Sequence, residues 1–322
     1  MPVLLAGAAL ASVAWPLATY TLTLAAFGLA HVVAELRYVD LRFGRRLGRA
    51  LARAMGVALT GIVIARAAPM VERLSPSAAV VLELGCGLSL VALVLPSLLR
   101  IRPWTAAVGG LVAAALALAI LVAPAAGLLA IAVLHNLTPV GFVLEARRGA
   151  SRRRAAWWCL AVFAVVPLVI ASGGGWALVG ATGVAAPEAS PLGYGPLHEA
   201  MKAYLPVGRI DPSLALHLFS ACVFLQCAHY VAVLAIMSRS LPADARGRLR
   251  WPGVRWWPLV LAATALALIP FAFDFAQARR GYGVLAAVHA WIELPILLLA
   301  LLGPSPALTR PTPERSTGGA EP

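Results

Sequence analysis

The sequence predicts an all-α membrane protein that crosses the bilayer about nine times. Hydrophobic residues make up 61% of its 322 positions and charged residues only 12%, whereas about a quarter of an ordinary soluble domain is charged. The apolar residues fall in stretches of about 20, the length that a helix needs to span a bilayer. Most of the charges fall between these stretches. A soluble globular domain is therefore excluded.

Nine apolar stretches are long enough for spanning helices, at 10–36, 52–68, 77–98, 104–122, 124–145, 156–173, 213–238, 257–276 and 283–302. The N-terminus lacks the basic residues of a signal peptide, so the first stretch is read as a retained span, kinked or interrupted at Pro16. We expect residues 1–303 to form a single transmembrane domain. The tail at 304–322 is rich in Pro, Ser, Thr and Gly and is expected to be disordered and cytoplasmic.

The basic residues predict the orientation of the spans. All but one of the 26 are arginines, and most lie in short loops. With the N-terminus outside and the C-terminus in the cytoplasm, 20 of them face the cytoplasm and six the other side. This asymmetry is typical of a multi-pass protein of a bacterial-type inner (plasma) membrane. It explains the net charge of +13 without a nucleic-acid partner.

The segment 174–212 is the longest connection on the outer side. The spacing of Leu197, Met201, Tyr204 and Leu205 suits a short helix on the membrane surface. A plain connecting loop remains the alternative.

Two short patterns place a histidine and a glutamate four residues apart within apolar stretches, His31 with Glu35 and His289 with Glu293. On a helix this spacing puts both side chains on one face. Ionisable groups inside a membrane are costly and usually mark a working site that faces the protein interior. The two patterns therefore predict a functional site between the helices.

Two further histidines, His135 and His229, lie in other apolar stretches. A lone histidine in a membrane helix is more often a hydrogen-bonding group between helices. Four together favour a metal site, because imidazole is the commonest metal ligand. We expect these four histidines as ligands, Glu35 and Glu293 as ligands or as partners of ligands, and Tyr230 in the lining of a substrate cavity.

The depth of these residues poses a difficulty. In the predicted spans His31 lies near the cytoplasmic end and His289 nearer the outer end. They meet only if the boundaries shift by about a turn, if the helices tilt, or if there are two sites. His198, in the outer segment, and His217, near the outer end of a span, stay open as further members.

Isolated histidines on separate spans, with an acidic residue after the last of them, resemble the bacterial integral-membrane β-carotene dioxygenase family of the bacteriorhodopsin-related protein type. The resemblance depends on His31, His135, His229 and His289 followed by Glu293. It implies a non-haem Fe(II) enzyme that uses dioxygen to cleave an isoprenoid.

Three functions stay open at this point, beside a structural membrane subunit whose polar side chains only satisfy one another. The first is a non-haem iron oxygenase or oxidase that acts on a hydrophobic substrate, such as an isoprenoid, carotenoid or other lipid, entering from the bilayer; copper or zinc could replace iron. The second is a b-type haem protein that exchanges electrons with quinone. The third is a proton-coupled transporter with His and Glu as relay groups. The sequence has no H-E-x-x-H, P-loop or C-x-x-C-H motif.

Overall fold

The computed structural model describes residues 1–302 apart from 46, 102, 194, 242–244 and 254–255. The α-helices are α1 (Pro2–Ala14), α2 (Pro16–Val39), α3 (Arg49–Ala67), α4 (Pro76–Ile101), α5 (Pro103–Val122), α6 (Pro124–His135), α7 (Thr138–Glu145), α8 (Gly149–Leu160), α9 (Val166–Ala171), α10 (Gly174–Gly180), α11 (Leu197–Met201), α12 (Pro212–Val231), α13 (Trp256–Phe273) and α14 (Phe275–Leu302). Turns of π-helix at Asp40–Gly44, Ala161–Val165 and Ala232–Met237 extend α2, join α8 to α9 and extend α12. The predicted disordered tail at 304–322 lies outside the described residues.

The predicted fold class is confirmed. Eight helical segments are long and apolar enough to cross a membrane, and the described residues contain no strand. The number becomes nine if α6 and α7, which meet at a bend of 40°, count as one span. Prolines at the first helical position begin several of these helices because their fixed φ suits that position and no donor is lost there.

The first apolar stretch is two helices that run in opposite directions. Trp15 has non-helical backbone angles (φ −138°, ψ 63°) between α1 and α2. Met1 lines a cavity together with Arg147 and Arg154, whereas the carbonyl of Ala14 accepts a 2.8 Å hydrogen bond from Ala186 in the opposite, outer segment. Met1 therefore lies at the arginine-rich end of the bundle, the end assigned to the cytoplasm, and not at the outer end that was predicted for the N-terminus.

Helix α14 begins earlier than predicted. The chain turns tightly at Asp274, whose side chain accepts a 2.9 Å hydrogen bond from the backbone amide of Gln277 and so caps the new helix. The last span thus starts at Phe275 rather than at 283. This shift of about two turns places His289 deep in the bundle.

Three helices form the inside of the bundle. Within an 18-residue apolar stretch of each span, 78% is buried in the α12 span, 56% in the α2 span and 50% in the α14 span. The corresponding share is 17–39% in the other single spans. The outer segment packs on this core through α11, which buries Leu197 and Met201 in one cluster with Tyr20 and Phe219. The three inner helices carry three of the four predicted ligands.

Candidate metal centre

The four intramembrane histidines meet at one depth. The helices that carry them, α2, α6, α12 and α14, all begin at the outer end of the bundle. His31 lies 15 residues after the start of its helix and His289 lies 14 after the start of its own, which corresponds to about 21–22 Å at 1.5 Å per residue. One ligand nitrogen from each of the four histidines lies within 4.8 Å of the others. The later start of α14 thus removes the depth difficulty.

His31 and His289 face each other through their Nε2 atoms, which are 3.3 Å apart. The other nitrogen of His31, Nδ1, lies 3.2 Å from the backbone carbonyl of Phe27. A carbonyl can only accept, so Nδ1 carries the proton and Nε2 of His31 presents a lone pair to its neighbour. Both rings are 1% exposed. This orientation of an imidazole is typical of metal ligands.

His135 is oriented by a carboxylate on another helix. Its Nδ1 donates to Oε2 of Glu293 at 2.9 Å, and the hydroxyl of Thr138 donates to the same oxygen at 2.6 Å. The proton on Nδ1 leaves the Nε2 atom of His135 as a lone-pair donor. Glu293 was predicted to work with His289 on its own helix, yet the hydrogen bonds to its Oε2 atom come from His135 and Thr138 on the α6–α7 segment.

His229 and Glu35 form the second cross-helix pair. Nε2 of His229 lies 3.2 Å from Oε2 of Glu35, and both side chains are 0% exposed. The two atoms are close enough for an ion pair but do not form a hydrogen bond: among the described residues, both oxygens of Glu35, both nitrogens of His229 and Oε1 of Glu293 lack hydrogen-bond partners. Buried polar atoms are nearly always satisfied. This concentration of unsatisfied atoms marks the place where a further polar group would fit.

A metal ion fits this place. A tetrahedral ion at about 2.1 Å from its nitrogens holds them about 3.4 Å apart, which is close to the separation of the two Nε2 atoms. Neither buried carboxylate pairs with a lysine or arginine among the described residues. A divalent cation would therefore supply the charge that two carboxylates buried away from water require. Glu35, His289 and Glu293 form a second, overlapping group of possible ligands.

The packing of the rings disfavours a haem with two histidine ligands. Such a macrocycle needs two imidazoles facing each other across its plane. Here the ring of His135 lies 4.6 Å from that of His229 and 4.5 Å from that of His289, centroid to centroid. The four rings therefore surround one point and leave no planar gap between opposed pairs.

Tyr230 lies where the sequence predicted a cavity wall. Its ring is 4.1 Å from that of His31, centroid to centroid, at an angle of 32°. Both residues line a cavity of about 800 Å³ that opens toward the outer end of the bundle. His135 and His289 also line this cavity, so the cluster is accessible from it.

The other two histidines are not in the cluster. His198 is mostly exposed and lies 3.0 Å from Glu199 on the outer surface. The ring of His217 lies 5.9 Å from the indole of Trp176. Neither belongs to a group of possible metal ligands among the described residues.

The sequence did not predict an ion pair beside the cluster that has a buried carboxylate and a partly exposed arginine. Glu83 of α4 accepts hydrogen bonds from Arg66 at 2.7 Å and from the indole of Trp291 at 2.9 Å. Trp291 lies between His289 and Glu293 in the sequence and is 1% exposed. A single acidic residue in an apolar stretch was the available signal for this contact. The pair links α3 and α4 to the helix that carries two site residues.

Comparison with known proteins finds no family model, no curated protein and no solved structure that matches this chain. The structure itself defines an all-α polytopic membrane bundle with a buried four-histidine cluster that can hold a metal ion.

Proposed function

We propose that this protein is a membrane-embedded metalloenzyme, a non-haem iron oxygenase or oxidase that acts on a hydrophobic substrate. The observation that carries the proposal is the 3.3 Å approach of the Nε2 atoms of His31 and His289, with the proton of His31 held on the other ring nitrogen. The lone pair on Nε2 of His31 therefore needs a cation or a proton from His289, and a cation could also be bound by the oxygens of Glu35 and by Oε1 of Glu293, which lack hydrogen-bond partners among the described residues.

His31, His135, His229 and His289 would hold the ion. Glu293 keeps the ring of His135 in the orientation and tautomer that a ligand needs. Glu35 lies beside His229 and supplies the second negative charge. When bound, a ferrous ion would supply activation of dioxygen for oxidation or cleavage of the substrate. Copper or zinc could occupy the same nitrogens, since imidazole suits all three metals.

The substrate would reach the cluster through the cavity that Tyr230, His31 and His289 line. Tyr230 would hold the substrate against the cluster, since its ring lies directly on that of His31. The resemblance to the integral-membrane β-carotene dioxygenase family makes an isoprenoid the first substrate to test. A bacterial-type inner membrane is the proposed location.

Elemental analysis of the purified protein, combined with its visible spectrum, tests the proposal. We expect about one iron per chain and no Soret band, and we expect metal to be lost in a His31→Ala/His135→Ala variant. His198→Ala is the matched control, because this exposed histidine lies outside the cluster. Two ions per chain would instead implicate the overlapping Glu35, His289 and Glu293 group.

Other outcomes would replace the proposal. A Soret band would identify the b-type haem alternative. Protein that binds no transition metal, with uptake driven by a proton gradient in vesicles, would identify the transporter alternative, in which the buried imidazoles and carboxylates relay protons.

A further inference from the structure

The cavity above the histidine cluster has a cationic mouth. Four basic side chains line it: Arg66, Lys202, Arg279 and Arg280. They are four of the six basic residues that lie on the outer side in the predicted orientation of the spans. The positive-inside rule does not explain basic residues there. Their concentration around one opening therefore calls for another reason.

Two of the four basic side chains pair with the acidic side chains of the lining. Arg66 pairs with Glu83, and Lys202 lies 2.5 Å from Glu199. Glu83 and Glu199 are the two acidic side chains in the described lining. The lining therefore keeps an excess of two positive charges. Arg280 is exposed and has no acidic partner among the described residues, and Arg279 lies over the ring of Tyr20 at 5.8 Å.

Arg279 and Arg280 lie at the opposite end of the cavity from the histidines. Arg279 and His289 are ten residues apart on α14, which is about 15 Å along the helix axis. Leu128, Ile131 and Ala287 are among the apolar side chains that line the cavity. A ligand that spans this distance needs a charged end for the mouth and an apolar body for the inside.

We propose that the cavity binds an anionic amphiphile, with a phosphate or carboxylate group at Arg279 and Arg280 and an apolar body that extends to the histidine cluster. Arginine suits such a headgroup because its guanidinium donates two parallel hydrogen bonds to phosphate or carboxylate oxygens. The inference adds a class of substrate to the proposed function. It depends on that function only for the statement that the apolar end of the ligand is oxidised or cleaved at the cluster.

Isothermal titration calorimetry in a neutral detergent tests the inference with dodecyl phosphate, 1-dodecanol and inorganic phosphate as probes. We expect dodecyl phosphate to bind at least tenfold more tightly than either of the other two. An Arg279→Gln/Arg280→Gln variant should lose at least tenfold in affinity for dodecyl phosphate and keep its affinity for dodecanol. Its metal content and thermal unfolding should match those of the wild type, which distinguishes lost binding from misfolding.

Arg73→Gln/Arg209→Gln is the matched control, because these exposed outer arginines lie outside the described lining. Three results would overturn the inference: equal affinity for the two amphiphiles, an equal loss of affinity in the control variant, or inorganic phosphate that binds as tightly as dodecyl phosphate.

The same titration in nanodiscs distinguishes the two sources of such a ligand. If phosphatidylglycerol competes with dodecyl phosphate and phosphatidylcholine does not, the ligand is a bilayer lipid. If dodecyl phosphate binds and phosphatidylglycerol does not compete with it, the ligand is a soluble amphiphile. Metal-free protein that selects the anionic probe would refute the iron proposal alone.

Discussion

Glu293 and His135 form a hydrogen-bonded pair between two helices, with 2.9 Å between the carboxylate oxygen Oε2 and the ring nitrogen Nδ1. The pair lies in the protein interior, since the glutamate side chain is 0% exposed and the histidine side chain 12% exposed. The hydroxyl of Thr138 donates to the same oxygen and fixes it further. The carboxylate thus determines which nitrogen of His135 faces the cluster.

Removing the charge of Glu293 should weaken metal binding. Glu293→Gln keeps the shape of the side chain but loses the anion that holds the Nδ1 proton and balances the cation. We expect the affinity for metal to fall about 10–100-fold, the usual cost of losing a partner of a ligating histidine. Competition with a chelator measures it. Thr138→Val, which removes only the second donor, should have a smaller effect, and an unchanged affinity in Glu293→Gln would show that the pair does not orient a ligand.

Gly87 makes room for the buried indole of Trp291. A Cβ at position 87 would lie 2.1 Å from the Trp291 ring, so Gly87→Ala must displace the ring or move α4 away from α14. We expect a loss of about 1–3 kcal/mol in the free energy of unfolding, typical of overpacking. Reversible unfolding in mixed micelles measures it, and metal content should fall as well, because Trp291 lies between two site residues.

Gly85→Ala is the control for this prediction. It lies on the same helix, and a Cβ there meets nothing within 4 Å. Alanine favours a helix over glycine by about 1 kcal/mol, so this variant should be as stable as the wild type or slightly more stable. Equal losses in the two variants would mean that the steric contact with Trp291 is not responsible.

Much of the fold was predictable because bilayer spans have a length and composition that short loops do not share. The chain reversals were not. Trp15 leaves the helical conformation inside one continuous apolar stretch, and Asp274 ends α13 only two residues before the predicted end of that span, at 276. Pro16 indicated an interruption of the first stretch but not a reversal, and Asp274, although charged, lies so close to the predicted end of its span that it did not mark the start of the next helix. The depth of His289 depends on the second reversal and was therefore misplaced.

The candidate site was predictable as a set of residue types but not as a set of pairs. The spacing of four residues associates His31 with Glu35 and His289 with Glu293. In the structure the carboxylates contact histidines on other helices: Glu35 lies beside His229, and Glu293 accepts a hydrogen bond from His135. Helical spacing shows which side chains share a face, whereas packing between helices decides which atoms meet.

The ion pair of Arg66 and Glu83 should show strong coupling in a double-mutant cycle. Arg66→Gln leaves the buried carboxylate of Glu83 with the neutral indole of Trp291 as its described donor. We expect a loss of about 1–3 kcal/mol in the free energy of unfolding, reduced by solvent because the side chain of Arg66 is 40% exposed. The double variant Arg66→Gln/Glu83→Gln should recover part of the loss, since it removes the buried charge. Additive losses would contradict this interpretation of the pair.

Asp40 anchors the loop before α13 to the inner end of α2. Its carboxylate accepts hydrogen bonds from the backbone amides of Arg248 and Leu249, both at 3.0 Å, and from the indole of Trp251 at 2.8 Å. The guanidinium of Arg248 also donates to the carbonyl of Gly44 at 2.5 Å. These contacts hold an arginine-rich segment that trypsin would otherwise cleave.

Asp40→Ala should release this segment without disturbing the metal centre. Three donors lose their acceptor at once, and a loop freed from such contacts opens locally at little cost. We expect trypsin to cleave after Arg248 or Arg250 at least tenfold faster than in the wild type, as followed by mass spectrometry, with unchanged metal content. Asp211→Ala is the control: it removes the cap of α12 at the opposite end, where Asp211 accepts from the amide of Leu214. Equal acceleration by both variants would point to general destabilisation, and cleavage at the wild-type rate would show that other contacts hold the loop.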